Sequence, residues 1–370
     1  MRSIGYYLSR TLPAERRRAL VQHLCARRCG RQALDYPGHL SHVRSMLVVL
    51  PEDVLTALCH VENILALGER FPQASVTFFC RSEVAEYFHS ITADASFVEY
   101  DTSQRYLFSP AFARHGAALA HERFDLCFLL DTSPDLSVLN LVGQTAARVR
   151  AGYAEAADYP FLNHIVRVSG VATCLAERYS ALARSLGAAP GQRPMLEVSR
   201  EVREGVVHLL RDLRIDPDAP LAVVDACGIA RALGRPWTAG LLERLRAAVP
   251  LTFCSPLAHG EPDDTGRWLA GCGVTVVPPL TVPRLAALLS RSQLVVTGNS
   301  PALQLSALLA RPGVAVLASA QIGYLRSGGS VRAVCYDGAP GETTVAATVA
   351  EASRLMGPGV AGGKRNSGGR

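Results

Sequence analysis

Thr297-Gly298-Asn299-Ser300-Pro301 interrupts an otherwise apolar run between Leu280 and Ala320 with residues suited to holding an anion. Asn299 or Ser300 fits a helix N-cap, and Pro301 fits the first helical position, where a missing N–H costs nothing. A helix N-terminus at the carboxyl end of a parallel strand gathers free N–H donors and the positive end of the helix dipole. Gln304, one turn on, adds an amide that donates and accepts. Gly234-Arg235-Pro236-Trp237 offers a guanidinium fork that matches phosphate oxygens; its plainer use is a solvated arginine beside a turn. Glu52 and Asp53 follow the apolar run Met46 to Leu50, at the mouth where open α/β sheets bind ligands. A carboxylate there is a candidate general base, and Asp53 is an equally good N-cap for the helix that begins at Val54. Glu261 reads as a first-turn helix acid.

Positioning these residues requires alternating strands and helices. Leu285, Leu288 and Leu289 share a helix face, Leu294 to Val296 suits a buried parallel strand, Ala302 to Leu309 a helix and Val314 to Leu317 the next strand. Earlier in the chain, a strand at Met46 to Leu50, one helix from about Val54 to Arg70 and a strand at Ser75 to Cys80 make a βαβ unit. Strands at Phe97 to Tyr100, Leu126 to Leu130 and Val149 to Tyr153 continue it, with helices over Ser82 to Phe88 and Arg114 to Ala120 and from Leu136. A second series has strands at Leu221 to Val224, Leu251 to Cys254, Val274 to Val277 and Val331 to Tyr336. Its helices are expected at Ala239 to Ala248, Glu261 to Ala270 and Thr343 to Leu355. The organisation expected is a basic extension over 1–42, an α/β domain over 43–186, a linker over 187–219, a second α/β domain over 220–356 and a disordered Gly-rich tail over 357–370. A helix is expected in the extension at Ala14 to Ala26 and another in the linker at Val202 to Leu213.

The 370 residues suit two cores, and 49% hydrophobic with 19% charged residues is a globular balance. The net charge of +6 concentrates at Arg16, Arg17, Arg18, Arg27, Arg28 and Arg31 and at Lys364, Arg365 and Arg370. No aromatic interleaving or nucleic-acid motif accompanies these clusters, so a solvated basic face or contact with an anionic membrane is expected rather than nucleic acid. No run approaches the roughly 20 apolar residues of a membrane span, and the first residues lack a secretory apolar core. The ten scattered cysteines suit reduced thiols in the cytoplasm. Cys25 and Cys29 stand one helical turn apart with no second pair beside them, and no metal site is assigned. No Gly-x-Gly-x-x-Gly follows any strand, which argues against an epimerase-like dinucleotide fold.

The block from Leu280 to Ala320 resembles the nucleotide-sugar signature of glycosyltransferase family 9, the ADP-heptose:lipopolysaccharide heptosyltransferases. That pattern is a strand, Asp-Ser/Thr-Gly, a His two residues on, an Ala-rich helix and a second strand. Asn299 stands at the Asp, Ser300 at the Ser, Pro301 at the Gly and Gln304 at the His. LVVLPEDVLTALCHVENILALGERFPQASVTFFC resembles the family's opening strand, acidic turn and helix, with Asp53 at the position of the acceptor-activating Asp and Glu52 replacing a Gly. Arg235 and Trp237 match a Lys and a Trp two residues on. The resemblance implies two Rossmann-like domains facing across a cleft, the GT-B fold, and metal-independent, inverting sugar transfer without a cofactor. The implied donor is a nucleotide-diphosphate sugar, with an ADP-linked heptose the family's own, and the implied acceptor is a glycolipid of lipopolysaccharide biosynthesis or another glycan. Asp53 would be the base; Arg235, Asn299, Ser300 and Gln304 would hold the donor, with Glu261 toward its ribose. The protein would work in the cytoplasm, at the inner face of the membrane. The altered signature motivates the alternative, a degenerate, non-catalytic GT-B protein that binds a nucleotide sugar or a protein partner.

Overall fold

The computed structural model describes residues 13–29, 38–92, 94–104, 106, 109–132, 134–145, 147–153, 162–168, 174–189, 196–325 and 329–357. The basic tail, Arg31, the stretch Pro190 to Pro194 and the side chains of Cys25, Arg27, Arg28 and Cys29 lie outside the described residues. The chain forms two compact units, residues 1–172 with 176–192 and residues 173–175 with 193–370.

In chain order the first unit has α1 (Ala14–Cys29), β1 (Ser45–Val49), α2 (Val54–Leu58), α3 (Val61–Arg70), β2 (Ser75–Arg81), α4 (Ser82–His89) and β3 (Ser96–Tyr100). It continues with α5 (Pro110–His121), β4 (Leu126–Leu129), α6 (Leu136–Val142), β5 (Val149–Tyr153), β6 (His164–Val166) and most of α7 (Leu175–Ser185). All six strands pair in parallel, in the order β3-β2-β1-β4-β5-β6. The central strands are buried along their length, as parallel strands covered on both faces must be, and they read as continuous apolar runs for that reason. Phe79 of β2 stacks on Tyr100 of β3 at 4.9 Å and meets Phe112 of α5 edge-on at 5.9 Å. The helix of the basic extension, α1, packs on α6, with Val21 fully buried in the same core.

The single helix expected from Val54 to Arg70 is two helices. At the break the N–H of Cys59 is shared between the carbonyls of Leu55 and Thr56, and that of His60 bonds Ala57, a tightened 3₁₀ turn. The turn drives His60 into the interior, stacked on Tyr179 at 4.2 Å, with neither ring nitrogen bonded among the described residues. Burial lowers its pKa from 6.5 to about 3. The short strand β6 was not expected; its three residues carry too little apolar signal to stand out.

The second unit has α8 (Arg200–Asp212), β7 (Leu221–Val224), α9 (Ala226–Leu233), α10 (Arg235–Ala248), β8 (Thr252–Pro256), α11 (Asp263–Gly271), β9 (Thr275–Val277) and α12 (Val282–Arg291). After these come β10 (Leu294–Thr297), α13 (Pro301–Leu308), β11 (Gly313–Ala318), a 3₁₀ turn at Ser319–Tyr324, β12 (Val331–Tyr336) and α14 (Glu342–Met356). The sheet order is β12-β11-β10-β7-β8-β9, again all parallel. Counted from each unit's own first strand, both sheets have the same doubly wound order. The direction of winding reverses between β1 and β4 in one and between β7 and β10 in the other, the places where ligand crevices form. Gly313 is required where β11 meets β10: a Cβ there would lie 2.9 Å from the Val295 carbonyl oxygen. The helix α9 was not expected and the helix at Glu261 begins later than expected. Asp225 caps α9 through Gly228, while Pro262 takes the N-cap place of α11 and leaves Glu261 outside it.

Candidate functional site

In the first unit, the loops after β1 and β4 diverge at the switch point, and both are acidic. The β1 loop presents Glu52 and Asp53; the β4 loop presents Asp131 and Asp135. Asp53 is exposed and caps α2. Its Oδ2 accepts from the Thr56 N–H at 2.8 Å and from the Thr56 hydroxyl at 2.7 Å. Both bonds end on one oxygen, so Oδ1 is left to accept from another group. Glu52 is half-buried behind it: Tyr100 donates to its Oε1 at 3.4 Å, and Arg81 donates to its backbone carbonyl at 3.4 Å. Burial pushes the Tyr100 hydroxyl well up, Cys80, Asp131 and Asp135 add to the shift, and Arg81 opposes it. Arg81 and Tyr100 are the members of this edge that sequence reasoning missed. A lone arginine closing a predicted strand was the available signal for the first.

In the second unit the corresponding edge is built from the loops after β7, β8 and β10. Thr297 is fully buried, and its hydroxyl lies 3.3 Å from Asp225 Oδ2 and 3.0 Å from the Ser300 hydroxyl. Ser300 therefore occupies the N-cap position of α13 without a side-chain capping bond. Asp225 turns its other oxygen to the Gly228 N–H at 3.0 Å. A Cβ at Gly228 would come within 2.3 Å of that carboxylate, so a larger residue there would displace the Asp225 side chain. Asn299 buries its Oδ1 with no hydrogen-bond partner among the described residues. Gln304 is not directed to the turn: it is buried, and its Nε2 donates to the Tyr324 carbonyl at 2.7 Å.

Arg235 and Glu261 are brought together. Arg235 makes a two-pronged pair with Asp264, at 2.7 and 3.1 Å, donates to the Thr265 hydroxyl at 2.9 Å and lies 5.3 Å over the Trp268 ring. Thr265 in turn donates to Glu261 at 3.4 Å, and Glu261 pairs with Arg231 at 3.1 Å. The bonds from Arg235 hold the Asp264 carboxyl below its ordinary range. Burial pushes the Cys227 thiol up; Glu261 and Asp225 add to this, while a backbone hydrogen bond from Ala258 and the Arg231 charge oppose it. Arg231, Asp264 and Asp225 were missed as members of this edge; Asp225 follows a buried strand just as Asp53 does. Trp237 packs against the core with its indole N–H unpartnered among the described residues. Asp53 stands in the first unit and the other candidates in the second.

Chemically, the first edge offers a proton acceptor and the second offers guanidinium forks, hydroxyls and two helix N-termini. No protein-family model matches the sequence, and no curated protein matches it. Solved structures do. A family 9 glycosyl transferase from Veillonella parvula superposes with a TM-score of 0.68 at 13% identity, covering 88% of this chain and 98% of that one. E. coli ADP-heptose LPS heptosyltransferase II gives 0.65 at 18% identity, with 84% and 98% covered. E. coli heptosyltransferase WaaC with ADP gives 0.59 at 15% identity, with 84% and 99% covered. The chain has the two-unit α/β fold of these glycosyltransferases.

Proposed function

We propose that this chain is a glycosyltransferase that moves a sugar, with inversion and without a metal, from a nucleotide-diphosphate donor to a glycan or glycolipid acceptor. The reading is supported by what each unit carries at its own switch point: an unengaged Oδ1 of Asp53 in the first, and Arg235, Ser300 and the N-terminus of α13 in the second. Asp53 takes the proton of the acceptor hydroxyl as that oxygen bonds the anomeric carbon. The bond to the donor phosphate breaks in the same step, and the nucleoside diphosphate leaves with the electron pair. Arg235 and Arg231 and the helix N-termini balance its charge. Arg235 exchanges Asp264 for a phosphate at modest cost, because the pair is about half exposed and such pairs are weak. The heptosyltransferase neighbours favour an ADP-linked heptose as donor and a lipopolysaccharide-type glycolipid as acceptor. Exposed Arg16 and Arg18 on α1 suit contact with the anionic inner face of a membrane.

A second reading is a non-catalytic nucleotide-sugar binder. It is favoured by the Asp225 carboxylate at the N-terminus of α9, by the commitment of Arg235 to Asp264 and by Pro301, which brings no N–H to α13. Thermal stabilisation by ADP-, GDP-, UDP- and dTDP-sugars, followed by donor turnover with a glycolipid acceptor, separates the two. Ligand at a hundred times Kd stabilises by about 2.7 kcal/mol. A shift with one nucleotide, lost in Arg235→Ala, and turnover support transfer. A shift without turnover supports the binder, and no shift with any donor overturns both.

A further inference from the structure

The second unit has another cavity, at the opposite edge of its sheet. It encloses about 650 Å³, a volume in the range of small-molecule sites. Arg291 lines it just before β10 and Arg311 just before β11, so it lies at the amino ends of the strands whose carboxyl ends carry the Asn299 turn. Arg203 of α8 is the third cation in its wall, and Leu196 and Leu309 supply apolar surface.

The ordinary use of arginines here is to bond the last carbonyls of α12 and α13. Only Arg291 does something of this kind: its Nη2 donates to the Pro217 carbonyl at 2.5 Å and stands 3.9 Å from Asp218. Its Nε is buried and unpartnered among the described residues, and so is the Nε of Arg311. The guanidinium groups of Arg203 and Arg311 have no hydrogen bond or ion pair there at all. Glu197 also lines the cavity, yet it pairs with none of the three arginines. Two helix C-termini contribute roughly half a negative charge each, and Glu197 and the Asp218 beside Arg291 one more each, so the three guanidinium groups are about balanced in number, and it is the N–H groups of Arg203 and Arg311 without a partner among the described residues that an anion would take up. Several forks with free N–H groups around one space suit a ligand with several acceptor oxygens on a single centre, which is a phosphate.

We propose that this cavity is a second anion site, for a phosphate group attached to a small organic body that rests on Leu196 and Leu309. The site is separate from the donor-binding edge and stands whether or not the chain transfers sugar. Phosphate borne by a soluble metabolite and phosphate borne by a lipid headgroup share this chemistry. The test is titration calorimetry of the full chain with inorganic phosphate, pyrophosphate and glycerol phosphate. It is repeated on Arg311→Gln, Arg203→Gln and, as a control for the other edge, Arg235→Ala. A parallel sedimentation assay uses vesicles of phosphatidic acid in phosphatidylcholine against phosphatidylcholine alone. A binding event that weakens about tenfold or more in each cavity variant and persists in Arg235→Ala, where any separate event at the donor edge is lost, supports the site. Sedimentation with the acidic vesicles that falls in the same two variants assigns the lipid source; phosphate binding without it assigns the soluble one. Circular dichroism melts check that the variants fold; Arg203 is on an exposed helix face, where glutamine is a comparable helix former. Equal binding by folded Arg203→Gln and wild type, or no binding by wild type to any of these probes, overturns the proposal.

Discussion

The two units share a strand order and differ in what they do with the charge at its reversal point. The first leaves a carboxylate oxygen of Asp53 unengaged at its edge. The second consumes most of its charge internally: Arg235 with Asp264, Arg231 with Glu261, and Asp225 with the N-terminus of α9. Doubly wound topology therefore fixes where a ligand site forms, because loops diverge only where winding reverses. It does not fix the sign or availability of the groups there. Those depend on which side chains of neighbouring loops find one another.

The largest expected effect breaks the contrast at the first edge. Asparagine caps a helix about as well as aspartate but cannot take a proton. Asp53→Asn is expected to lower turnover about 10²- to 10⁴-fold while leaving thermal stability close to wild type. Unchanged turnover would reduce Asp53 to a cap.

Next in size is a difference in acid tolerance between the units. His60 is fully buried in the first unit, whereas His208 and His259 of the second are exposed. The folded state refuses the proton that the unfolded His60 accepts, since its pKa falls from 6.5 to about 3 on folding. Its neutral form is thus favourable above about pH 6.5, and stability declines as pH drops below that value, by about 1.4 kcal/mol per pH unit until the folded pKa is reached. His60→Phe retains an aromatic ring against Tyr179 and is expected to flatten the dependence of urea midpoint on pH between 6 and 4. A slope equal to wild type would mean that other groups control acid unfolding.

The smallest effect sharpens the second edge. Asp264→Asn weakens the hold on Arg235, so donor affinity should rise several-fold, while Arg235→Ala lowers it about tenfold. Calorimetry with the nucleotide sugar that stabilises the protein measures both. If Asp264→Asn weakens binding instead, the pair itself orients Arg235 for the donor.

Much of the fold was legible in the residues. The apolar run Met46 to Leu50 forms a strand that ends at Val49, the runs Leu221 to Val224 and Leu294 to Val296 are buried strands, and the polar turn at Asn299 does lead into a helix with Pro301 in its first turn. The site was less legible. Asp53 was readable as an acid at a strand end, but not that only one of its oxygens would be used. Gln304 looked like a donor-site amide from its spacing, and its partner, Tyr324, is 20 residues away. The break at His60 escaped because Val54 to Arg70 keeps a helical apolar pattern across it, and the tightened turn is paid for by packing on Tyr179 from far along the chain.

By itself, the sequence determined the alternation of strand and helix, the parallel character of both sheets and the loops that end at Asp53 and Asn299. These rest on apolar periodicity and backbone capping, which act over a few residues and so are written locally. The tertiary structure alone decided that Arg235 meets Asp264, that Asp225 meets Thr297, and that Arg203, Arg291 and Arg311 surround one cavity. Such meetings join residues far apart in the chain. They follow from strand order, and no local pattern of charge encodes them.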